Sequence, residues 1–445
     1  SDVVWTFAIA IVFLGLAAAL FGHWLEKAGP RKAGVAAAIF WGGGLMVTSL
    51  GVSLHQLWLI WLGAGVIGGI GLGLGYISPV STLIKWFPDR RGLATGMAIM
   101  GFGGGAMIGM PLGDYLIKAN GVGETFFIMG LIYLIAMTIG AFGYRVPAEG
   151  WKPEGWNPVA KKTNNMISSS HVHVSNAHKT PQFWLLWGVL CLNVSAGIGV
   201  LSVAKPMFQE IAASSFDPLI IGAIATGFGA LLSLANIIGR IFWASSSDFL
   251  GRKLTYAIFF SLGTALYLAA PWAGINQYIA TFVLITLVIL TMYGGGFATI
   301  PAYLADIFGT QHVGAIHGRL LTAWSLAGIV GPMLISYLRE YQLSMGIPTD
   351  QAYNSSFKIL ALLLVAGFIL NLLVKPVNKK FGMTPAELKA EQGALKGTQT
   401  NSSVVASVTN TSMQKILLPL AWIVVGVPIT LGILNALQKG IIIFL

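Results

Sequence analysis

Gly22-His-Trp-Leu-Glu26-Lys27-Ala-Gly29-Pro-Arg31-Lys32 and Ala244-Ser-Ser-Ser-Asp248-Phe-Leu-Gly251-Arg252-Lys253 are two copies of one short charged signature, 222 positions apart. The offset pairs Glu26 with Asp248, Gly29 with Gly251, and Arg31 with Lys253. It also pairs Pro79 with Pro301, Gly92 with Gly314, and Gly96 with Gly318. A Gly109-Met-Pro111 turn falls one residue off Gly331-Pro332. A fixed internal period marks two homologous halves. An acid-glycine-base loop between apolar runs in each half is the layout of a carrier whose two bundles rock against each other.

Composition sets the class. The chain is 56% hydrophobic and 9% charged, against about 25% charged in a soluble domain. Mean hydropathy is +0.77. The 56 glycines suit helices that pack closely in lipid. The net charge of +11 does not point to nucleic acid, because its bases sit in loops between apolar runs, as positive-inside topology requires. The one cysteine, Cys191, lies in an apolar segment, which excludes a disulfide within the chain.

Apolar runs of membrane-spanning length fall near 3–25, 33–53, 57–84, 92–117, 123–144, 182–208, 218–246, 254–272, 277–305, 314–338, 354–374 and 415–437. Barrel strands would be shorter and would alternate, so these runs predict helices. The expected organisation is an N-terminal transmembrane half at 1–146, a cytoplasmic linker at 147–181 and a C-terminal half at 182–375. A polar stretch at 376–413 and an extra helix at 414–445 follow. Loops holding Arg31/Lys32, Lys85/Arg90/Arg91, Lys152/Lys161/Lys162, Arg252/Lys253 and Lys375/Lys379/Lys380 alternate with base-poor loops, which places the basic set in the cytoplasm.

Arg240 stands out. It precedes Asp248, at the cytoplasmic helix end, by eight residues, so it lies about 12 Å into a hydrocarbon core about 30 Å thick. A cation there is costly and usually functional, and a guanidinium grips a carboxylate with two parallel hydrogen bonds. The plainer alternative is a structural arginine paired with a helix end or with Asp248. Asn236 lies one turn earlier on the same face, suited to orienting Arg240 or to an ordinary interhelical bond. Tyr76, Tyr293, Phe297 and Trp324 sit near glycine-rich helix centres. They form either a wall for a small anion or simple packing.

The signature has a mechanical reading. Gly22, Glu26, Gly29 and Arg31 in one half, with Asp248, Gly251 and Arg252 in the other, supply an acid that pairs in one carrier state only. Gly109, Pro111, Gly331 and Pro332 are expected to loosen mid-helix bonding, or to be tolerated kinks. No acid lies inside a helix away from its ends, so a proton relay would fall to the substrate, to a histidine, or to a segment outside the chain. His171, His173 and His178 have no Cys, Asp or Glu beside them and read as a solvated linker rather than a metal site. No cofactor motif and no nucleophile-base set is visible, so no enzyme is expected.

Trp86-Phe-Pro-Asp89-Arg-Arg-Gly92-Leu-Ala, Thr180-Pro-Gln-Phe-Trp184, and Asp306-Ile-Phe-Gly309 with Thr322-Ala-Trp324 and Gly331-Pro332 give the chain its resemblance over about 1–380. It resembles the major facilitator superfamily, and within it the oxalate/formate antiporter family, related to bacterial monocarboxylate transporters. The resemblance implies an all-α fold of two pseudo-symmetric six-helix halves. In that layout the charged loop follows the second helix of each half. Here only one run, 3–25, precedes the first copy, so the sequence is expected to begin after the first family helix, the alternative being an eleven-helix carrier. The segment 415–445 looks like a small single-helix partner of some family members.

The resemblance further implies that Arg240, in an Asn-x-x-x-Arg pattern with Asn236, is the carboxylate ligand, and that Tyr76, Phe102, Tyr293 and Phe297 form its aromatic wall. Where the oxalate antiporter carries a lysine, this chain carries Trp324. A dianion facing one arginine leaves an unpaired charge costing several kcal/mol. The expected activity is therefore transport of a small monocarboxylate (lactate, formate or pyruvate) across a bacterial inner membrane, with a co-transported proton or a counter-anion as partner. Oxalate:formate exchange and a carboxylate-binding membrane sensor are the rivals.

Overall fold

The computed structural model describes residues 4–147, 151–153, 155, 166–168 and 170–390, with scattered positions between 419 and 443. Parts of the expected linkers, 148–150, 154, 156–165, 169 and 391–413, and most of the expected last helix lie outside the described residues.

The long helices are α1 (Val4–Ala28), α2 (Pro30–Ser53), α3 (Leu57–Trp86), α4 (Arg91–Asn120), α5 (Val122–Gly143), α6 (Pro181–Ser202), α7 (Ile221–Leu250), α8 (Arg252–Ile275), α9 (Ile279–Phe308), α10 (Val313–Ser344) and α11 (Asn354–Leu373). Among the described residues ten helices meet the length and hydropathy of a membrane span. A helix satisfies all its internal backbone polar groups, which lipid cannot do. The chain is a multi-pass membrane protein.

The apolar runs become helices with two interruptions. The run expected at 182–208 breaks at Val203, and Ala204–Ile211 forms a separate amphipathic helix. Lys205-Pro206 explains the break: proline fits the first turn of a new helix. Within α10 the helix is interrupted at Leu321, between Val313–Leu320 and Thr322–Ser344.

The helix bounds follow the 222-residue offset. Pro30–Ser53 corresponds to Arg252–Ile275, and Leu57–Trp86 to Ile279–Phe308. Gly29 (φ 86°, ψ 161°) and Gly251 (φ 86°, ψ 146°) reverse the chain between α1 and α2 and between α7 and α8. This region is open almost only to glycine. The basic residue two positions on docks on the last helix of its own half. Arg31 sits 5.7 Å over the Phe142 ring of α5. Lys253 Nζ donates to the Leu372 and Val374 carbonyls at 2.8 Å each.

Within the halves α2 packs on α3 and α5, and α8 on α9 and α11; between them α4 packs on α7, and α1 on α10. Glycines set both crossings. A Cβ on Gly96 would lie 2.6 Å from the Arg240 carbonyl, and one on Gly22 would lie 3.0 Å from the Ala315 Cα. Gly318, the partner of Gly96, meets the Ala18 backbone of α1 in the same way.

The linker binds the C-terminal end of α9. Ser168 N donates to Asp306 O (2.7 Å) and Val172 N to Phe308 O (2.9 Å). His171 is held below the usual imidazole range by burial, then by nearby His312 and Arg91.

A Cβ on Gly29 meets nothing within 4 Å, so backbone conformation alone governs substitution there. Gly29→Ala is expected to cost roughly 1–3 kcal/mol, and Gly29→Asn no less, because ψ lies outside the left-handed helical well that asparagine tolerates. Thermal unfolding of the purified protein in detergent checks this; a melting point unchanged in both variants would contradict it.

Candidate functional site

The middle of α7 carries Asn236 and Arg240 one turn apart, as α-helical geometry dictates. Arg240 is 3% exposed. It does not pair with Asp248. Its Nε donates to Asn236 Oδ1 at 3.0 Å, and its Nη1 donates to the Ile99 carbonyl of α4 at 2.9 Å. The second bond crosses between the halves. Its Cζ lies 5.4 Å from the Phe297 ring centroid. Gly103 of α4 makes room: a Cβ there would lie 3.1 Å from Arg240 Nε. Nη2 makes no hydrogen bond to a described residue. A guanidinium has five N–H donors, so this one is oriented without being saturated.

Phe297 leads into an aromatic cluster. Its ring centroid is 4.6 Å from Trp324 and 5.3 Å from Tyr76. Phe102 adds edge contacts to Tyr76 (5.9 Å) and Trp324 (5.5 Å). Helices α3, α4, α9 and α10 each contribute a ring. Tyr76 and Trp324 are buried, and Tyr76 Oη and Trp324 Nε1 have no hydrogen-bond partner. Buried donors are normally satisfied, so these two await an acceptor. Tyr293, one turn from Phe297, makes no ring contact with the cluster and packs instead against Gly197 of α6. Tyr293 nonetheless lies within electrostatic reach of Arg240.

A cavity of about 570 Å³ opens beside the cluster, with Tyr76, Phe102, Gly75, Gly105, Gly109 and Tyr133 among its lining residues. At the 222-residue offset the corresponding space in the second half is filled by α6. There Gly197 meets Tyr293 and Gly199 meets Gly331. Gly109 therefore lines a cavity, whereas Gly331 is a helix-packing contact. The backbone stays helical through 109–111 and through Gly331-Pro332; the side chain of Pro111 lies outside the described residues.

The N-terminal ends of α4 and α8 and the C-terminal ends of α7 and α9 meet in a charge network. Asp248 accepts from the backbone N–H groups of Gly92 (2.9 Å) and Leu93 (3.0 Å), so it caps α4 from the opposite half. Free N–H groups and the positive end of the dipole favour a carboxylate there. Arg252 donates to Asp248 (2.6 Å) and to Asp306 (3.1 Å), and its Nη1 bonds Ser247. Arg91 closes the network on Asp306 at 2.9 Å. Two cations and two anions balance. The other copy differs: Glu26 Oε2 accepts from Lys85 at 2.9 Å, and Oε1, beside Gly314, has no partner.

Sequence reasoning missed Arg91, Asp306 and His317 as members of these clusters. Arg91 and Asp306 are 215 positions apart, and no local pattern joins them. The signal for His317 was its place two turns before Trp324.

The described residues are helical, in two repeated halves, with an unsaturated cation buried where the halves meet. The sequence profile of the Major Facilitator Superfamily matches residues 1–233 and 194–437; the chain belongs to that superfamily and is a secondary transporter. It is 26% identical over 376 residues to the oxalate:formate antiporter of Oxalobacter formigenes, covering 82% of each chain. It is 25% identical to apicoplast pyruvate carrier 1 of Toxoplasma gondii, over 79% of this chain and 71% of that one. Among solved structures the E. coli fucose:proton symporter superposes with a TM-score of 0.60 at 11% identity, covering 83% of this chain and 90% of that one.

Removing the Asp248 charge takes one of two carboxylates from Arg252 and the charged acceptor from the Gly92 and Leu93 amides. In Asp248→Asn, hydrogen–deuterium exchange of the Gly92 and Leu93 amides is expected to quicken at least about tenfold, the equivalent of about 1.4 kcal/mol. Unchanged protection would show that the cap does not hold the crossing.

Proposed function

We propose that this protein carries small monocarboxylates, with lactate, formate and pyruvate as the leading candidates, across a bacterial inner membrane by alternating access. Arg240 is the anion ligand. The observation that carries the reading is its burial with Nη2 unengaged, beside Tyr76 and Trp324, whose polar atoms lack partners. A carboxylate takes the guanidinium edge in a bidentate pair and leaves an oxygen lone pair for a ring donor. Buried Phe297 keeps water from its side of the guanidinium, which strengthens both interactions. The names of the relatives, an oxalate:formate antiporter and a pyruvate carrier, support a small carboxylate as the substrate class.

Charge balance favours one carboxylate over two. Among the site residues only Arg240 is a permanent cation, so a dianion would leave one charge uncompensated at low dielectric. The Asp248–Arg252–Asp306–Arg91 network closes the cytoplasmic side in this state and must open for release. Either a co-transported proton or a counter-anion completes the cycle.

Uptake of radiolabelled lactate into proteoliposomes tests the reading. Arg240→Ala is expected to lower uptake by more than tenfold at equal membrane abundance. Arg240→Lys should still impair it, because the charge remains but the fork is lost. Normal uptake in Arg240→Ala would overturn the assignment, and binding without uptake in the wild type would favour a sensor.

Lactate or formate should compete for uptake better than oxalate at pH 8. Trp324→Lys should shift that preference toward oxalate. Oxalate that outcompetes every monocarboxylate on the wild type at that pH would contradict the single-cation argument.

A further inference from the structure

His317 lies on the first segment of α10, two turns before Trp324, and its ring stands 5.6 Å from that of Tyr76. It is 1% exposed, and its Nε2 has no hydrogen-bond partner. Tyr76 contacts both His317 (5.6 Å) and Phe297 (5.3 Å), and Phe297 in turn contacts Arg240 (5.4 Å), so the two basic side chains belong to one cluster. A buried imidazole with a bare nitrogen has no structural reason to be an imidazole, since an apolar ring would fill the space without stranding a polar atom. Its position beside the unpartnered Tyr76 hydroxyl supplies a functional reason.

We propose that His317 is the titratable second cation of the anion site. Neutral, it leaves Arg240 alone and the site accepts one negative charge; protonated, it balances a second, and the site accepts a dicarboxylate. The inference rests on the carboxylate site proposed above and adds the residue that sets how much charge that site takes.

The surrounding groups leave this role to His317. On α3 it faces Tyr76. From α1 come Glu26 and His23, and Glu26 is already bound to Lys85 of α3. On α9, Asp306 is committed to Arg91 and Arg252, and Tyr303 is buried near them. Tyr293 faces Gly197. The segment of α6 that meets α10 carries no charge, and neither does the short helix Val174–Ala177. On α10 itself Arg319 turns away to the Val174 carbonyl and His178. Among the described residues Glu26, paired through Oε2 with Lys85, is the carboxylate nearest this segment, and no carboxylate is bonded to His317, so the charge that stabilises its protonated form comes from the ligand. Binding of a dianion and uptake of a proton are then linked.

The test is binding of lactate and of oxalate to the full chain in detergent from pH 5.5 to 8.5, by calorimetry in two buffers of different ionisation enthalpy. Both ligands keep their charge over this range, which lies well above ordinary carboxyl pKa values. On the alkaline side oxalate affinity should fall about tenfold per pH unit, with uptake of about one proton per ligand; lactate affinity should stay level. His317→Gln should remove the oxalate slope. His317→Lys, a permanent cation, should bind oxalate without proton uptake. Glu26→Gln should keep the slope. A level oxalate profile in the wild type, or an unchanged slope in both His317 variants, overturns the proposal. If lactate binds Arg240→Ala as it binds wild type, the carboxylate site itself is misplaced, a failure that reads separately from the slope. If wild type binds neither ligand, both fall.

Discussion

A guanidinium buried in the middle of a membrane protein is the constraint around which the rest of the molecule is arranged. Leaving it without partners would cost several kcal/mol even after relaxation, so the fold brings acceptors to it. Asn236 does so from the same helix, and the Ile99 carbonyl from the opposite half. Neither is an anion. The charge is solvated by dipoles and by the face of Phe297, but it is not neutralised. That distinction separates a structural arginine from a binding one. A structural arginine would have a carboxylate beside it, as Arg339 has Glu210 at 2.5 Å and Arg252 has Asp248. Arg240 has only the dipoles of Asn236 and the Ile99 carbonyl, and under the proposed function the missing negative charge is the one a substrate brings.

The dipoles reach Arg240 only because glycine lines the crossing. Gly92, Gly96 and Gly103 put one smooth face of α4 against α7, and the second half meets α1 through Gly314 and Gly318. In lipid there is little hydrophobic drive to press helices together, so close approach has to come from small residues and van der Waals contact. The repeated glycines and the cation site are thus parts of one design. The two halves nonetheless differ where chemistry is concerned. The second half has Asp248, Arg252 and Asp306 at its end of the crossing, whereas the first has Glu26 and Lys85 alone.

Much of this was legible in the sequence, and the limits are physical. The 222-residue repeat, the spans and the depth of Arg240 follow from periodicity, hydropathy and rise per residue, which are local. The glycine pairs at 92/314 and 96/318 were visible as a repeat, but their purpose, a backbone-to-backbone contact between halves, was not. The second cation partner Asp306 and its arginine Arg91 were invisible as a pair, because contacts across 215 positions carry no spacing rule. The packing of Tyr293 on Gly197 of α6 was invisible, because helix position says which way a ring starts, not which neighbouring helix it meets. His317 was passed over because a single histidine in an apolar segment reads as core until its unpaired nitrogen is seen.

The site and the charge network share one rigid element. Arg240 and Asp248 lie two turns apart on α7, an uninterrupted helix of 30 residues. Both reach across to α4: Arg240 to the Ile99 carbonyl, Asp248 to the Gly92 and Leu93 amides. Any motion that draws α7 from α4 breaks both sets together. In the proposed mode a carboxylate takes the free Nη2 edge of Arg240 and competes with the Ile99 carbonyl for Nη1, and it neutralises the charge those dipoles were recruited to solvate. Ligand can bias the crossing only through that difference in free energy between its open and closed arrangements. A bidentate contact to Arg240 is well placed to supply it, because the same side chain that recognises the anion is one of the bonds that hold the halves together.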